Sequence, residues 1–179
     1  MTRKPVVGVM GGADVGAEVC ALARELGKLI AERGWVLLNG GRDAGVMRAS
    51  AAGAREAGGT VIGILPDADA SRAAPDLDYA IVTGMGDARN LINVLSSDVV
   101  IACPGGAGTL SEVALALKNN KRVILLGWDA GDVFAECRQG GLLTVAKDAG
   151  DALAQAAAAL RSVQEGQPDT LFPEREQHE

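Results

Sequence analysis

Aromatic side chains are scarce in this chain: two Trp, one Tyr and two Phe make up 3% of its residues. A core with so few rings is aliphatic and its layers lie close, which suits a parallel sheet covered by helices better than a β-sandwich. Histidine occurs once, as His178 in a polar final stretch, and a lone imidazole there is neither a base nor a metal ligand. The three cysteines, Cys20, Cys103 and Cys137, are odd in number and never spaced CxxC. That argues against a disulfide framework and against zinc, and the three read as buried small hydrophobes. No run of Lys or Arg offsets the net charge of −6, so a nucleic-acid or acidic-membrane surface is not expected. No stretch reaches the ~18 apolar residues of a membrane span. The opening MTRKPVVGVMGG has too short an apolar run for a signal peptide, so the expected location is the cytoplasm.

Glycine, by contrast, is abundant, with 24 residues in 179, and 48% of the chain is hydrophobic. That length supports one sizeable core rather than two. Residues 1–166 are read as a single α/β domain, and the charged stretch 167–179 as a disordered tail.

Residues 5–10 form an apolar strand that runs into Gly11, Gly12, Ala13, Asp14, Val15 and Gly16. In residues 17–33 the apolar positions repeat at helical spacing, and Gly34 ends the segment as a C-cap does. The glycines read GGxxxG rather than GxGxxG, and the next strand ends in Asn39 instead of an acid for a ribose diol, so NAD binding is rejected. Asp14 reads as a helix N-cap or a ligand contact. The turn Gly40, Gly41, Arg42, Asp43, Ala44, Gly45 then opens a helix over 44–58, whose small residues predict close packing on the sheet or on another subunit. Arg42 is either a solvated loop arginine or a fork for a phosphate. Residues 60–65 make a third strand, and the small, polar, Pro-containing stretch 66–76 reads as a mobile surface flap.

Residues 79–83 give a fourth strand. The turn Gly84, Met85, Gly86 then leads to Arg89, Asn90 and a helix. A cation at a helix start opposes the dipole, so Arg89 points to an anionic ligand or to a salt bridge with Asp87 or Glu112. Residues 98–103 are a strand ending in Pro104, Gly105, Gly106, Ala107 and Gly108, after which Thr109 opens the next helix. Glycines admit a ligand close to the backbone, and the unpartnered N–H groups of the first turn attract anions. Glu112 stands one turn beyond Thr109. The pair reads either as a capping box or as a carboxylate placed beside an anion cradle, where a phosphate alone would not need it. Further strands at 122–126 and 142–145, with a Gly127–Asp132 turn between them, precede an Ala-rich edge helix over 148–163. Trp128 in that turn packs at the sheet end or stacks on a base. The resulting order predicts a doubly wound, Rossmann-like parallel sheet of about seven strands, with the turns at Gly11, Gly41, Gly86 and Gly105 on one rim.

GGRDAGVM at 40–47, GMGDARN at 84–90 and PGGAGTLSE at 104–112 together resemble the Rossmann-like superfamily typified by the Lonely Guy cytokinin-activating enzymes. The resemblance covers about residues 5–127. It implies that Arg89 and Glu112 match an arginine and a glutamate that hydrolyse the N-glycosidic bond of a nucleoside 5′-monophosphate. A carboxylate and an arginine suit that chemistry, since the transition state is oxocarbenium-like. The hydrolases read Arg-Lys and Glu-Glu at these places, whereas this chain has Arg89-Asn90 and Ser111-Glu112. In these respects it looks closer to the molybdenum cofactor carrier proteins of the same superfamily, which bind a phosphorylated pterin and form homo-oligomers. Such chains have also carried the label lysine decarboxylase. No lysine occurs in any of the glycine turns to hold pyridoxal phosphate, so that activity is excluded.

Two readings follow from the resemblance. One is a carrier of a phosphorylated heterocycle, either the molybdenum cofactor as cargo or a nucleotide, and the other is a phosphoribohydrolase that requires no cofactor. Whether the chain is an enzyme stays open between them. The ligand-binding residues it implies are Gly11, Gly12, Ala13, Gly41, Arg42, Gly45, Met47, Met85, Gly86, Arg89 and Asn90, with Pro104, Gly105, Gly106, Ala107, Gly108, Thr109 and Glu112 from the central motif. No metal ligands are expected. The Ala- and Gly-rich helices at 44–58 and 107–118 offer flat faces for a symmetric homo-oligomer, a dimer or a tetramer.

Overall fold

Seven short strands, most of them runs of Val, Ile and Leu with little polar alternation, pair in parallel in the order β4-β3-β2-β1-β5-β6-β7. These are β1 (Val6–Met10), β2 (Val36–Asn39), β3 (Thr60–Leu65), β4 (Tyr79–Val82), β5 (Val99–Ala102), β6 (Val123–Leu126) and β7 (Leu143–Ala146). The computed structural model describes residues 3–164. The tail expected over 167–179, His178 included, lies outside them.

Alternate residues of the strands other than β4, whose four residues are exposed, feed two apolar layers, as the two-residue period of a strand requires. Val7 and Val9, Val99 and Ile101, and Ile124 and Leu126 face a layer made with α1 (Ala17–Glu32), α2 (Gly45–Glu56) and α6 (Ala149–Gln164). Met10, Val100, Ala102, Val123 and Leu125 face the opposite layer, which holds α3 (Arg89–Leu95) and α4 (Ala107–Lys118). Helices thus cover both sides, as the doubly wound reading requires.

Helix α1 ends at the predicted place: Gly34 takes φ +71° and its N–H donates to the Ala31 carbonyl at 2.8 Å. Its start differs from the expected cap. Gly16 holds the N-cap position with no side-chain bond, and Asp14 is exposed. The small residues of α2 meet α1 as well as the sheet, where Ala51 and Ala54 join the strand residues of the first layer. A Cβ at Gly27 would overlap the Ser50 carbonyl oxygen, and one at Gly53 would overlap the Arg24 carbonyl oxygen. The two backbones touch there.

A further short helix, α5 (Ala135–Gln139), follows a 3-10 turn at Gly131–Phe134, where only a turn was expected. Its cause is topological, because β6 and β7 pair in parallel and the chain must cross over between them. Phe134 and Cys137 use that crossover to pack on the second layer. Trp128 packs there too, with its Nε1–H donating to the Ala102 carbonyl at 2.8 Å, which is the structural of its two readings. Of the cysteines only Cys103 is buried, where desolvation pushes its thiol up to about 12; Cys20 and Cys137 are half-buried. No helix of the described residues is long and apolar enough to cross a membrane.

The α1–α2 contact is testable. Gly53→Ala forces the two helices apart, and we expect a loss of about 3 kcal/mol, read from the urea midpoint. An exposed control, Gly108→Ala, has open space for its Cβ and should shift that midpoint much less.

Candidate functional site

Strands β1 and β5 are neighbours, yet the chain leaves β1 towards β2 and leaves β5 towards β6. At such a switch point the connections diverge and open a crevice beyond the carboxyl ends of the strands. Backbone bonds set its floor: Cys103 N–H donates to the Met10 carbonyl at 2.8 Å, and Gly12 N–H to the Pro104 carbonyl at 3.0 Å. Gly105 has to be glycine, since a Cβ there would overlap the Thr109 hydroxyl and stand 2.6 Å from the Gly12 nitrogen. The second turn joins this pair. Val46 N–H donates to the Gly12 carbonyl at 3.0 Å, and Gly45, at φ +45°, lies against that same carbonyl. Gly11 packs on Val46 and Ala13 is exposed beside Gly45.

Gly106 and Gly108 differ from these tight positions. A Cβ on either would meet nothing within 4 Å, so they border open space at the start of α4. Gly106 is the N-cap and no side chain caps that end, which leaves its backbone donors available to an anion.

Three polar side chains are buried beside this opening. Arg89, the first residue of α3, is 9% exposed, Glu112 on α4 is 7% exposed, and Asn93 on α3 is fully buried. The Arg89 guanidinium lies over Gly40 and beside Met47, in space that a Cβ at Gly40 would take. Neither expected salt bridge forms: among the described residues no carboxylate pairs with Arg89 within 4 Å, and its buried Nε lacks a partner. Burial pushes its pKa down from the ordinary arginine value, while the charge of Glu112 opposes that. Glu112 is no helix cap either. Thr109 is the third residue of α4 rather than its N-cap, and the Glu112 Oε1 accepts from Asn93 Nδ2 at 3.0 Å. Burial raises the Glu112 pKa, partly offset by the Asn93 hydrogen bond and by Arg89.

Around this centre, Asn90 Nδ2 donates to Ser111 Oγ at 2.9 Å, and Ser111 Oγ donates to the Gly108 carbonyl at 2.7 Å. The two positions that depart from the hydrolase pattern therefore touch each other. Met85 and Gly86, at φ +55°, are exposed at the rim. Pro104 and Ala107 flank the open glycines. Gly41 takes φ +76°, and its N–H donates to Asn39 Oδ1 at 2.8 Å.

The segment 66–76, read as a free flap, is fastened down. Arg42 forks onto Asp67, with Nε and Nη2 donating to Oδ2 and Oδ1 at 2.9 and 2.7 Å. Asp43 N–H donates to the Arg72 carbonyl and Ala74 N–H to the Gly41 carbonyl. The Arg42 fork is thus occupied by a carboxylate of the chain itself.

Gly40, Asn93, Asn39 and Asp67 are not among the ligand-binding residues that the sequence implies. Asn93 carried a signal, being polar, four residues from Arg89 and so on the same helix face. Asn39 was judged only by what it lacked as a ribose ligand. Fully buried, it donates to the Met47 carbonyl and Ser50 Oγ while accepting from Gly41, and so shapes the second turn. No cluster of potential metal ligands occurs among the described residues.

Comparison with known proteins gives a consistent picture. Residues 4–159 match the SLOG cluster4 family. The molybdenum cofactor binding protein of Rippkaea orientalis superposes with a TM-score of 0.84 at 47% identity, over 89% of this chain and 99% of that one. The molybdenum cofactor carrier protein of Chlamydomonas reinhardtii superposes at 0.82 with 48% identity and the same coverage. A cytokinin riboside 5′-monophosphate phosphoribohydrolase of Mycobacterium tuberculosis is 42% identical over 99 residues, 54% of this chain and about half (53%) of the relative.

The buried acid leaves a signature in stability. A carboxyl whose folded pKa is raised holds its proton longer in the folded state, so stability is lost as pH rises from the ordinary glutamate range through the folded pKa. Glu112→Gln keeps an acceptor for Asn93 without the charge. Its Tm should exceed that of the wild type at pH 8, by about 2–4 °C for each ~1 kcal/mol relieved, and the difference should close near pH 4. A variant less stable than wild type at pH 8 would contradict this account of the acid.

Proposed function

The chain belongs to the SLOG cluster4 family, and from that premise we propose that it binds and carries a phosphorylated heterocycle, with the molybdenum cofactor as its cargo. The observation that carries this reading is Arg89: a buried guanidinium without an ion pair, beside open glycines at an uncapped helix start. A buried charge without a counter-ion is costly, and a bound phosphate would supply one. The glycine turns would cradle that phosphate and Glu112 would accept hydrogen bonds from the heterocycle or an attached hydroxyl. Likeness to proteins that bind and carry the molybdenum cofactor, over 89% of this chain, supports the choice of cargo. When bound, that cargo brings its own metal chemistry; the chain's part is to hold and shield it. Arg89→Ala should weaken molybdopterin binding by about 1.5–3 kcal/mol and leave a dephosphorylated pterin nearly unaffected. Equal losses for both ligands would count against a phosphate role.

A second reading, hydrolysis of a nucleoside 5′-monophosphate at its N-glycosidic bond, is favoured by the nearness of Arg89 to a buried acid and by the mycobacterial relative. The neutral Asn90–Ser111 contact, standing where the hydrolases have charged residues, favours carriage over turnover. Incubating the protein with a panel of nucleoside monophosphates and assaying free base separates the two. Release by wild type and not by Glu112→Gln would establish the enzyme.

We further infer a homo-oligomer. Edge strand β4 exposes Tyr79, Ile81 and Val82, and the outer surface of α3, which packs on the neighbouring β3, exposes Leu91 and Leu95. An apolar edge of this kind calls for a covering partner. Light scattering on Ile81→Lys/Leu91→Lys should give a smaller assembly than wild type, and an unchanged mass would remove this surface from consideration.

A further inference from the structure

We propose that Asn93 is a positioning residue for Glu112, holding its carboxyl group in one orientation and favouring its ionised form over what burial alone would allow. The inference rests on the reading above only in taking Glu112 to face the ligand.

Helix α3 turns Leu91 and Leu95 outward, while Arg89 and Asn93, one turn apart, both point inward. Asn93 sits with no exposure beneath the cleft, near Met10 of β1, with its Nδ2 donating to Glu112 Oε1 at 3.0 Å. Its backbone carbonyl accepts from Ser97 Oγ at 2.8 Å, which anchors the segment that carries it. The amide oxygen Oδ1, also buried, has no partner. That imbalance is informative. A protonated Glu112 would have an O–H to give, and rotating the amide would let Oδ1 receive it. Presenting Nδ2 to the acid leaves Oδ1 unsatisfied, and an N–H donor bonds a carboxylate more strongly than it bonds the carbonyl oxygen of a protonated acid, so this orientation favours the ionised form.

Nothing else described takes over this task. Arg89 acts on Glu112 through charge, without a hydrogen bond, and is the charged group that α3 turns towards it. Met10 on β1 and Thr109 on α4 are neutral, and Asp87, Arg42 and Asp67 bear on Arg89 instead. A neutral amide therefore supplies the hydrogen bond that opposes the cost of burying the acid. An ionised Glu112 can accept from ligand hydroxyls or N–H groups with its remaining lone pairs, whereas a protonated one loses part of that capacity.

A merely structural Asn93 would join α3 to α4 and leave the titration of Glu112 unchanged. The test is ¹³C NMR of carboxyl-labelled glutamate, with Glu112 assigned by its loss in Glu112→Gln, in wild type and in Asn93→Leu. Loss of the donor should move the Glu112 midpoint to higher pH. AMP, used as the probe, should bind the variant about fivefold or more weaker at pH 6, with the deficit narrowing towards pH 9. An unmoved midpoint, or an equal loss of AMP affinity at every pH, would overturn the proposal. Should Asn93→Leu fail to fold, wild type still decides: the Asn93 side-chain amide resonance should titrate with the Glu112 midpoint, and a flat amide would overturn it. Should wild type bind no AMP, the proposed function loses that ligand while the carboxyl titration still judges Asn93.

Discussion

The contact between Gly12 and the Pro104–Gly105 backbone is the constraint on which the site depends. Parallel pairing of β1 with β5 brings two glycine turns to the same rim, and the absence of Cβ atoms lets them meet main chain to main chain. That closeness sets the start of α4 at the edge of the crevice. It also ties in α2 through the Val46 bond to Gly12. Side chains at these glycines would push the turns apart and move the open donors of α4 away from Arg89 and Glu112.

Burial and charge are in tension within the site. Arg89 and Glu112 lie almost completely out of water, yet no ion pair within 4 Å joins them among the described residues. Each is pushed towards its neutral form by desolvation, and each is held back by the other's charge. A packed apolar pair would stabilise the fold better than this arrangement. Retaining two separated buried charges makes sense if a ligand with both anionic and hydrogen-donating groups completes them. Arg42 is the opposite case, since its fork is filled by Asp67 from the fastened loop.

Carriage and hydrolysis make different demands on this geometry. A carrier has to hold its cargo with oriented donors and acceptors and release it intact. A hydrolase needs the acid to respond to charge developing at a sugar carbon. The Asn90–Ser111–Gly108 chain of hydrogen bonds fixes the mouth of the cradle with neutral groups. It brings no charge to the acid.

What the sequence alone determined is whatever depends on local chemistry. Runs of Val, Ile and Leu made strands because they suit burial on both faces, glycines marked the turns, and PGGAGTLSE placed a strand, a turn and a helix in succession. Most element boundaries and the doubly wound class were legible for that reason, whereas the nearness of Arg89 to Glu112 was an expectation of the family resemblance rather than of local pattern. The tertiary structure decided what depends on neighbours distant in the chain. It brought Gly53 of α2 against the backbone of α1, filled the Arg42 fork with Asp67, and made Asn93 rather than a helix end the partner of Glu112. It also required α5, since a parallel β6–β7 pair needs a crossover that no local pattern announces. A side chain's partner is set by which elements the sheet order brings together, and that order is a property of the packed chain rather than of any window of residues.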